Sequence, residues 1–316
     1  MERDVDDLLT IRGGAGTALV STVGAEPRSF RDVHGQEYLW QAGPEWPRYA
    51  PILFPVVCRV VDDELVVNGV PYPMTQHGFA RDLTWSVQTV TADAVTLALS
   101  DTEETRRRYP FRFTLTVTYQ VDDRGLSTTY AVRNDSVESM PFQLGSHPAF
   151  RWPLREDDEK DAYSVVFARP QAPHIRRVEQ TLLRPEVHPS PITPEGVLPL
   201  KEDLFRDNAV VLDTLMGTEL LYQSREGRGV RLTWDGFTQL AIWSPTTGAE
   251  LLCIEPWRGL PAPLDAQGEF GDRPDVETVD PGRSTCFSYR VEPVGVNARS
   301  AATPEPDQSH PRHSTT

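Results

Sequence analysis

Hydrophobic and polar positions alternate with a period of two along most of this chain. Residues 17–23 (TALVSTV), 64–70 (ELVVNGV), 84–100, 111–121 (FRFTLTVTYQV), 126–134 (LSTTYAVRN), 163–168, 229–236 and 239–245 are short, alternating and rich in Val, Thr, Tyr and Trp. That is the pattern of strands with one buried face. The turn Asp122–Asp123–Arg124–Gly125 between two of these runs predicts an antiparallel hairpin. Twenty-eight prolines and 21 glycines punctuate the chain and leave little room for long helices, so one turn near 203–208 is the whole helical expectation. The fold class read from this pattern is all-β, a sandwich or barrel.

No linker divides residues 5–293, and a single domain over 1–295 is expected. The stretch 169–196, RPQAPHIRRVEQTLLRPEVHPSPITPEG, is proline-laden and reads as a long surface excursion. From 296 the chain turns polar and proline-bearing without apolar period, which predicts a disordered tail over 296–316.

One run breaks the alternation. In LLCIEPW, residues 251–257, a carboxylate sits inside a stretch that reads as a strand buried on both faces. An ionised Glu is almost never left unpaired in such a place. Either Glu255 ends the strand or something polar meets it.

Length and charge narrow the functions. A chain of 316 residues buries roughly 75% of its unfolded surface and needs no disulfide or structural metal to fold. Cys58, Cys253 and Cys286 are odd in number, far apart and without a CxxC pair, which argues against a disulfide framework or zinc cluster. The formal net charge of −15 repels nucleic acid and anionic lipid. No secretory signal and no apolar run of ~18 residues is present, so a cytoplasmic protein that meets neither nucleic acid nor membrane is expected.

Four stretches concentrate His, Arg, Glu and Trp against Gly and Pro: APILFPVVCR (50–59), QHGFARD (76–82), GSHPAF (145–150) and CIEPW (253–257). His77 precedes a glycine, placing it at a turn where backbone can approach a ligand closely. Pro148 biases His147 to an extended conformation and fixes its direction. A held histidine and a carboxylate from a buried strand are the minimal equipment for moving protons near neutral pH. Taken singly, each has a blander reading: a lone histidine in a β protein is more often a structural hydrogen-bonder, Arg59 more often a partner for a carboxylate, and Trp40, Trp46 and Trp257 core or rim aromatics. His34, His174 and His188, in turn-like or loop segments, keep that reading.

In that order the stretches EYLWQAGPEWPRYAPILFPVVCRV, YPMTQHGFARD, LGSHPAF and LLCIEPWRGL resemble the aldose 1-epimerase (galactose mutarotase-like) family, most closely its LacX-type branch, over roughly residues 15–292. The resemblance implies a β-supersandwich with a shallow sugar cleft and neither metal nor organic cofactor. It also implies an isomerase that interconverts the α and β anomers of an aldose by opening and reclosing the pyranose ring. Carried over residue by residue, Glu255 removes the C1 hydroxyl proton and His147 protonates the ring oxygen, while His77 and Arg59 hydrogen-bond the sugar. The expected partner is a small sugar, an aldohexose or its phosphate, taken by a monomer or homodimer.

Two departures stand out. The family's sugar-binding aspartate aligns with Asn208, and the acid is its neighbour Asp207, so either one is the expected contact. RWPL follows GSHPAF, where galactose mutarotases proper carry Asn-Leu, again favouring the divergent branch. Arg81, with Arg28 or Arg48, could grip a phosphate, although Arg81 could as well pair with Asp82. Trp257 and Trp46 suit the apolar face of any pyranose. Two other functions remain beside the epimerase: a sugar-binding protein of the same fold without turnover, and a glycosidase, which normally needs two flanking carboxylates.

Overall fold

Phe113, Leu115, Val117, Tyr119 and Val121 are buried along the strand Phe113–Val121, while Thr114, Thr116, Thr118 and Gln120 alternate with them, in a computed structural model of the chain that describes residues 7–172 and 174–295. Its neighbour Leu126–Asn134 pairs antiparallel with Val121 opposite Leu126, so the hairpin predicted around Asp122–Gly125 forms. The Asp122 carboxylate closes the turn by accepting from the Arg124 and Gly125 amides.

This hairpin lies within a nine-stranded sheet that runs Val197–Pro199, Tyr163–Phe167, Glu219–Ser224, Gly229–Asp235, Ser284–Val294, Leu126–Asn134, Phe113–Val121, Ala94–Ser100, Ser86–Val90. A second, eight-stranded sheet runs Leu182–Pro189, His174–Glu179, Val210–Leu212, Gln239–Trp243, Leu251–Arg258, Leu144–Ser146, Ile52–Leu53, with Ala149–Arg151 also paired to Leu251–Arg258. The chain is almost all-β. Among the described residues the α-helix is one turn, Glu103–Arg106, and the turn expected near 203–208 is a 3-10 turn at Glu202–Phe205. No helix among them is long and apolar enough to cross a membrane.

The two sheets pack face to face. Leu240, Ile242, Leu252 and Ile254 of the second join Leu115, Val117, Tyr130, Leu232 and Tyr289 of the first in one buried cluster, each side chain stabilising the sandwich by about 1.5–3 kcal/mol. Because successive side chains on a strand point to opposite faces, burying Leu252 and Ile254 between the sheets turns Cys253, Glu255 and Trp257 to the other side. There Trp257 packs with Val211 and Ala241, and Cys253 with Ala149 and Leu251. A slip of one residue would drive the carboxylate between the sheets.

Two expectations change. Residues 169–196 are not simply a surface excursion: His174–Glu179 and Leu182–Pro189 form the outer two strands of the second sheet. Pro185 and Pro189 fit there because an edge strand needs only half of its amides for pairing. Glu255 does not end its strand, but lies inside Leu251–Arg258 with Ala241 opposite it. The tail expected over 296–316 lies outside the described residues.

Candidate active site

Strand register brings the two proton-handling candidates together. Gly145 faces Trp257 and Ala149 faces Cys253, so one unbroken register runs across the gap between Leu144–Ser146 and Ala149–Arg151. His147 falls in that gap directly opposite Glu255, and its Nε2 lies 3.3 Å from Glu255 Oε2. Pro148 cannot donate to the ladder, so the paired segments stop on either side of His147, whose amide donates instead to the Pro51 carbonyl at 3.1 Å. Gly145 matters for a steric reason: a Cβ there would stand 2.9 Å from Trp257 Cδ1 and 2.8 Å from Leu53 Cδ1.

Above the pair is a hollow of about 210 Å³. Trp46, Trp243 and Trp257 wall it together with His77, Arg48 and Arg81, and Val178, Thr181, Asn208 and Ala209 close one side. The Trp46 ring stacks on the His147 imidazole at 5.0 Å and 25°, and Trp243 meets the same imidazole edge-on at 6.2 Å. These indoles hold the imidazole plane and strip water from it.

His77 is held by backbone. Its Nδ1 accepts from the Cys58 amide at 3.0 Å, and its own amide donates to the Cys58 carbonyl at 2.6 Å. Accepting at Nδ1 assigns the ring proton to Nε2. The geometry needs a left-handed backbone at His77 (φ 65°) and Gly78 (φ 74°). At Gly78 only glycine fits, since a Cβ would come within 2.0 Å of the Phe54 carbonyl oxygen.

Burial governs the charges. It pushes the Glu255 carboxyl well above the ordinary carboxylate range, with the Trp257 indole N–H opposing from nearby without closing a hydrogen bond. It pushes His147 down to about 3, aided by the positive charges of Arg81 and Arg48. His77 is likewise driven well below its usual value, chiefly by burial and then by His147. Desolvation therefore favours the neutral form of each member of the close pair. Arg81 is lowered to about 10 by burial and by Arg48, which leaves it cationic at neutral pH.

The remaining sequence candidates divide. Trp257, Asn208, Arg81 and His77 line the hollow with His147 and Glu255. Arg59 does not: its Nε and Nη2 donate to the two Asp63 carboxylate oxygens at 2.6 Å each. The reason is the left-handed backbone at Cys58 (φ 57°), which turns the chain so that Cys58, not Arg59, borders the hollow. Asp207 is exposed and outside the lining, within electrostatic reach of Arg177, while Asn208 (φ 68°) reaches the hollow and caps the Ala209 amide at 2.8 Å. Arg81 donates to the Gln76 carbonyl at 2.7 Å and stands 3.7 Å from Asp82, which also pairs with Arg48 at 2.9 Å. Arg28 lies outside the lining, over the Tyr49 ring. Sequence reasoning missed Trp243 and Cys58. Trp243 had a usable signal, since it shares the alternation of the run QLAIWSP.

Comparison with known proteins follows the same lines. The aldose 1-epimerase family model matches residues 7–271. The plasmid-encoded LacX protein of Lactococcus lactis is 31% identical over 285 residues, covering 87% of this chain and 95% of that protein. A galactose mutarotase-like protein from Lactobacillus casei superposes with TM-score 0.85 at 32% identity, over 91% of this chain and 100% of its own. A galactose mutarotase related enzyme from Lactobacillus acidophilus does so with TM-score 0.84 at 30% identity, over 90% and 97%. With its fold and its matched span both of this kind, the chain belongs to the aldose 1-epimerase family.

Proposed function

We propose that the protein is an aldose 1-epimerase that interconverts the α and β anomers of an aldohexose, with Glu255 and His147 as the acid–base pair. The observation that carries this reading is the 3.3 Å approach of His147 Nε2 to Glu255 Oε2 at the base of the hollow. In a pyranose the ring oxygen and the anomeric hydroxyl oxygen are both bonded to C1, so the groups that serve them must be neighbours. Glu255 takes the C1 hydroxyl proton, the C1–O5 bond breaks as the aldehyde forms, and His147 delivers a proton to the departing ring oxygen. Rotation about C1–C2 presents the other carbonyl face, and the transfers run in reverse.

The close approach lets the carboxyl proton of Glu255 pass to His147, which suits this sequence. Sugar hydroxyls that donate to the carboxylate favour the microstate with Glu255 ionised and His147 protonated, which the forward step requires. His77 and Arg81 stabilise charge on the sugar oxygens, and Asn208 replaces the family's aspartate as a hydroxyl contact. The indole walls take the apolar ring face. Residues 1–295 form the working unit in this reading.

Arg48 and Arg81 together on one rim support a second substrate, a hexose 6-phosphate. A glycosidase is disfavoured, because among the described residues lining the hollow Glu255 is the only carboxylate. Polarimetry or NMR exchange on freshly dissolved α-anomers of aldohexoses and their 6-phosphates is the test. Anomer exchange well above the buffer rate supports the enzyme, and sugar binding without acceleration would leave a binding protein instead.

A further inference from the structure

Cys253 lies two residues before Glu255 on the same face of the same strand, opposite the small side chain of Ala149. The His147 imidazole, the Cys253 thiol and the Glu255 carboxylate each offer one donor atom, and the three atoms lie within 4.8 Å of one another. All three residues are buried. Both Glu255 Oε2 and His147 Nδ1 are buried atoms without a hydrogen-bond partner, a costly arrangement unless a ligand meets them.

We propose that the base of the hollow is an inhibitory site for a thiophilic divalent cation, with zinc as its model ligand, held by His147, Cys253 and Glu255. One nitrogen, one sulfur and one oxygen form a donor set that suits zinc and its neighbours, whereas calcium and magnesium call for several oxygens. Charge also favours it. The ion displaces the thiol proton and any proton on the carboxyl, so two negative ligands and one neutral imidazole meet a charge of plus two, and the buried site becomes neutral. The displaced protons pass to the buffer. Small torsions of the three side chains draw the donors inward to bonding distances of roughly 2.0–2.3 Å, and the fourth position faces the hollow. The ion thereby occupies the lone pair and the carboxylate that proton transfer needs. This inhibition rests on the reading of His147 and Glu255 as the acid–base pair, whereas the binding does not.

Cobalt(II) provides a readout independent of turnover, since a thiolate bound to cobalt gives a sulfur-to-metal charge-transfer band in the near ultraviolet. Titration of the full chain should produce that band at one ion per protein, bleached by competing zinc. Saturating zinc should stop anomer exchange. Cys253→Ser and Cys253→Ala should abolish the band and weaken zinc by at least the ~10–100-fold that loss of an outer-shell partner costs, while metal-free exchange stays at the wild-type rate. Cys58→Ser should keep the band. No band in the wild type, a band that survives both Cys253 variants, or undiminished exchange in the zinc-saturated protein would overturn the inference. A band in a protein that never accelerates exchange would instead overturn the epimerase reading and leave the metal site standing.

Discussion

His147 and Glu255 meet because the strand register puts them opposite each other. Gly145–Trp257 and Ala149–Cys253 bracket them on the same two paired segments, and the 3.3 Å contact follows from that backbone geometry. A pair placed by a sheet is held with the rigidity that acid–base catalysis requires.

Removing either member should therefore stop turnover without loosening the fold. Glu255→Gln and His147→Asn are each expected to lower kcat by ~10² or more, and the double variant should fall little further, because the two act as one unit. Anomer exchange followed by NMR gives kcat, and circular dichroism reports folding. Wild-type kcat in both single variants would reject the assignment.

The same burial gives a stability signature. Glu255 titrates higher folded than unfolded, so its ionisation costs stability as pH rises above the ordinary carboxyl value of 4.5 towards its folded pKa. Glu255→Gln should match the wild type in Tm below that pH and exceed it increasingly above. His147, lowered from 6.5 to about 3, behaves oppositely: its contribution is present above pH 6.5 and is lost as pH falls through that window. His147→Asn should accordingly flatten the acid limb of the Tm profile.

Trp46 stacks on the His147 imidazole and walls the hollow at once. Trp46→Ala should raise KM by about two- to tenfold, the equivalent of an aromatic contact worth ~0.5–1.5 kcal/mol, and should also lower kcat as His147 gains freedom. Trp46→Phe should recover most of kcat. An effect on KM alone would mean that the indole only binds sugar.

Gly78→Ala tests the turn that holds His77. The added Cβ meets the Phe54 carbonyl at 2.0 Å on a backbone with φ 74°, so a loss of at least ~1–3 kcal/mol in unfolding free energy is expected, read by urea denaturation.

If Arg81 reads a phosphate, Arg81→Ala should raise KM for glucose 6-phosphate at least tenfold more than for glucose. Equal changes would confine Arg81 to the neutral sugar.

Strand content was legible because alternation is a local property, and Phe113–Val121 with Leu126–Asn134 carries it in an uninterrupted form. Glu255 and His147 stood out as candidates for a different reason: a carboxylate in an apolar run and a histidine pinned by proline are anomalies, and the structure brings the two side by side. What could not be read was register. Trp243 belongs to the site because it faces Cys253 across the strand pair, and no local pattern states which strands adjoin. Arg59 misled since a single left-handed residue, Cys58, exchanges which side chain looks inward. Residues 169–196 misled because proline argues against a central strand but not against an edge.

The gap at His147–Pro148 divides the labour of this architecture. The acid–base candidates are mounted on the frame, whereas Arg48, Thr181 and Asn208 stand in connecting segments between strands. In the proposed reading, exchanging those connecting residues should shift sugar preference while the strand-borne pair stays in place.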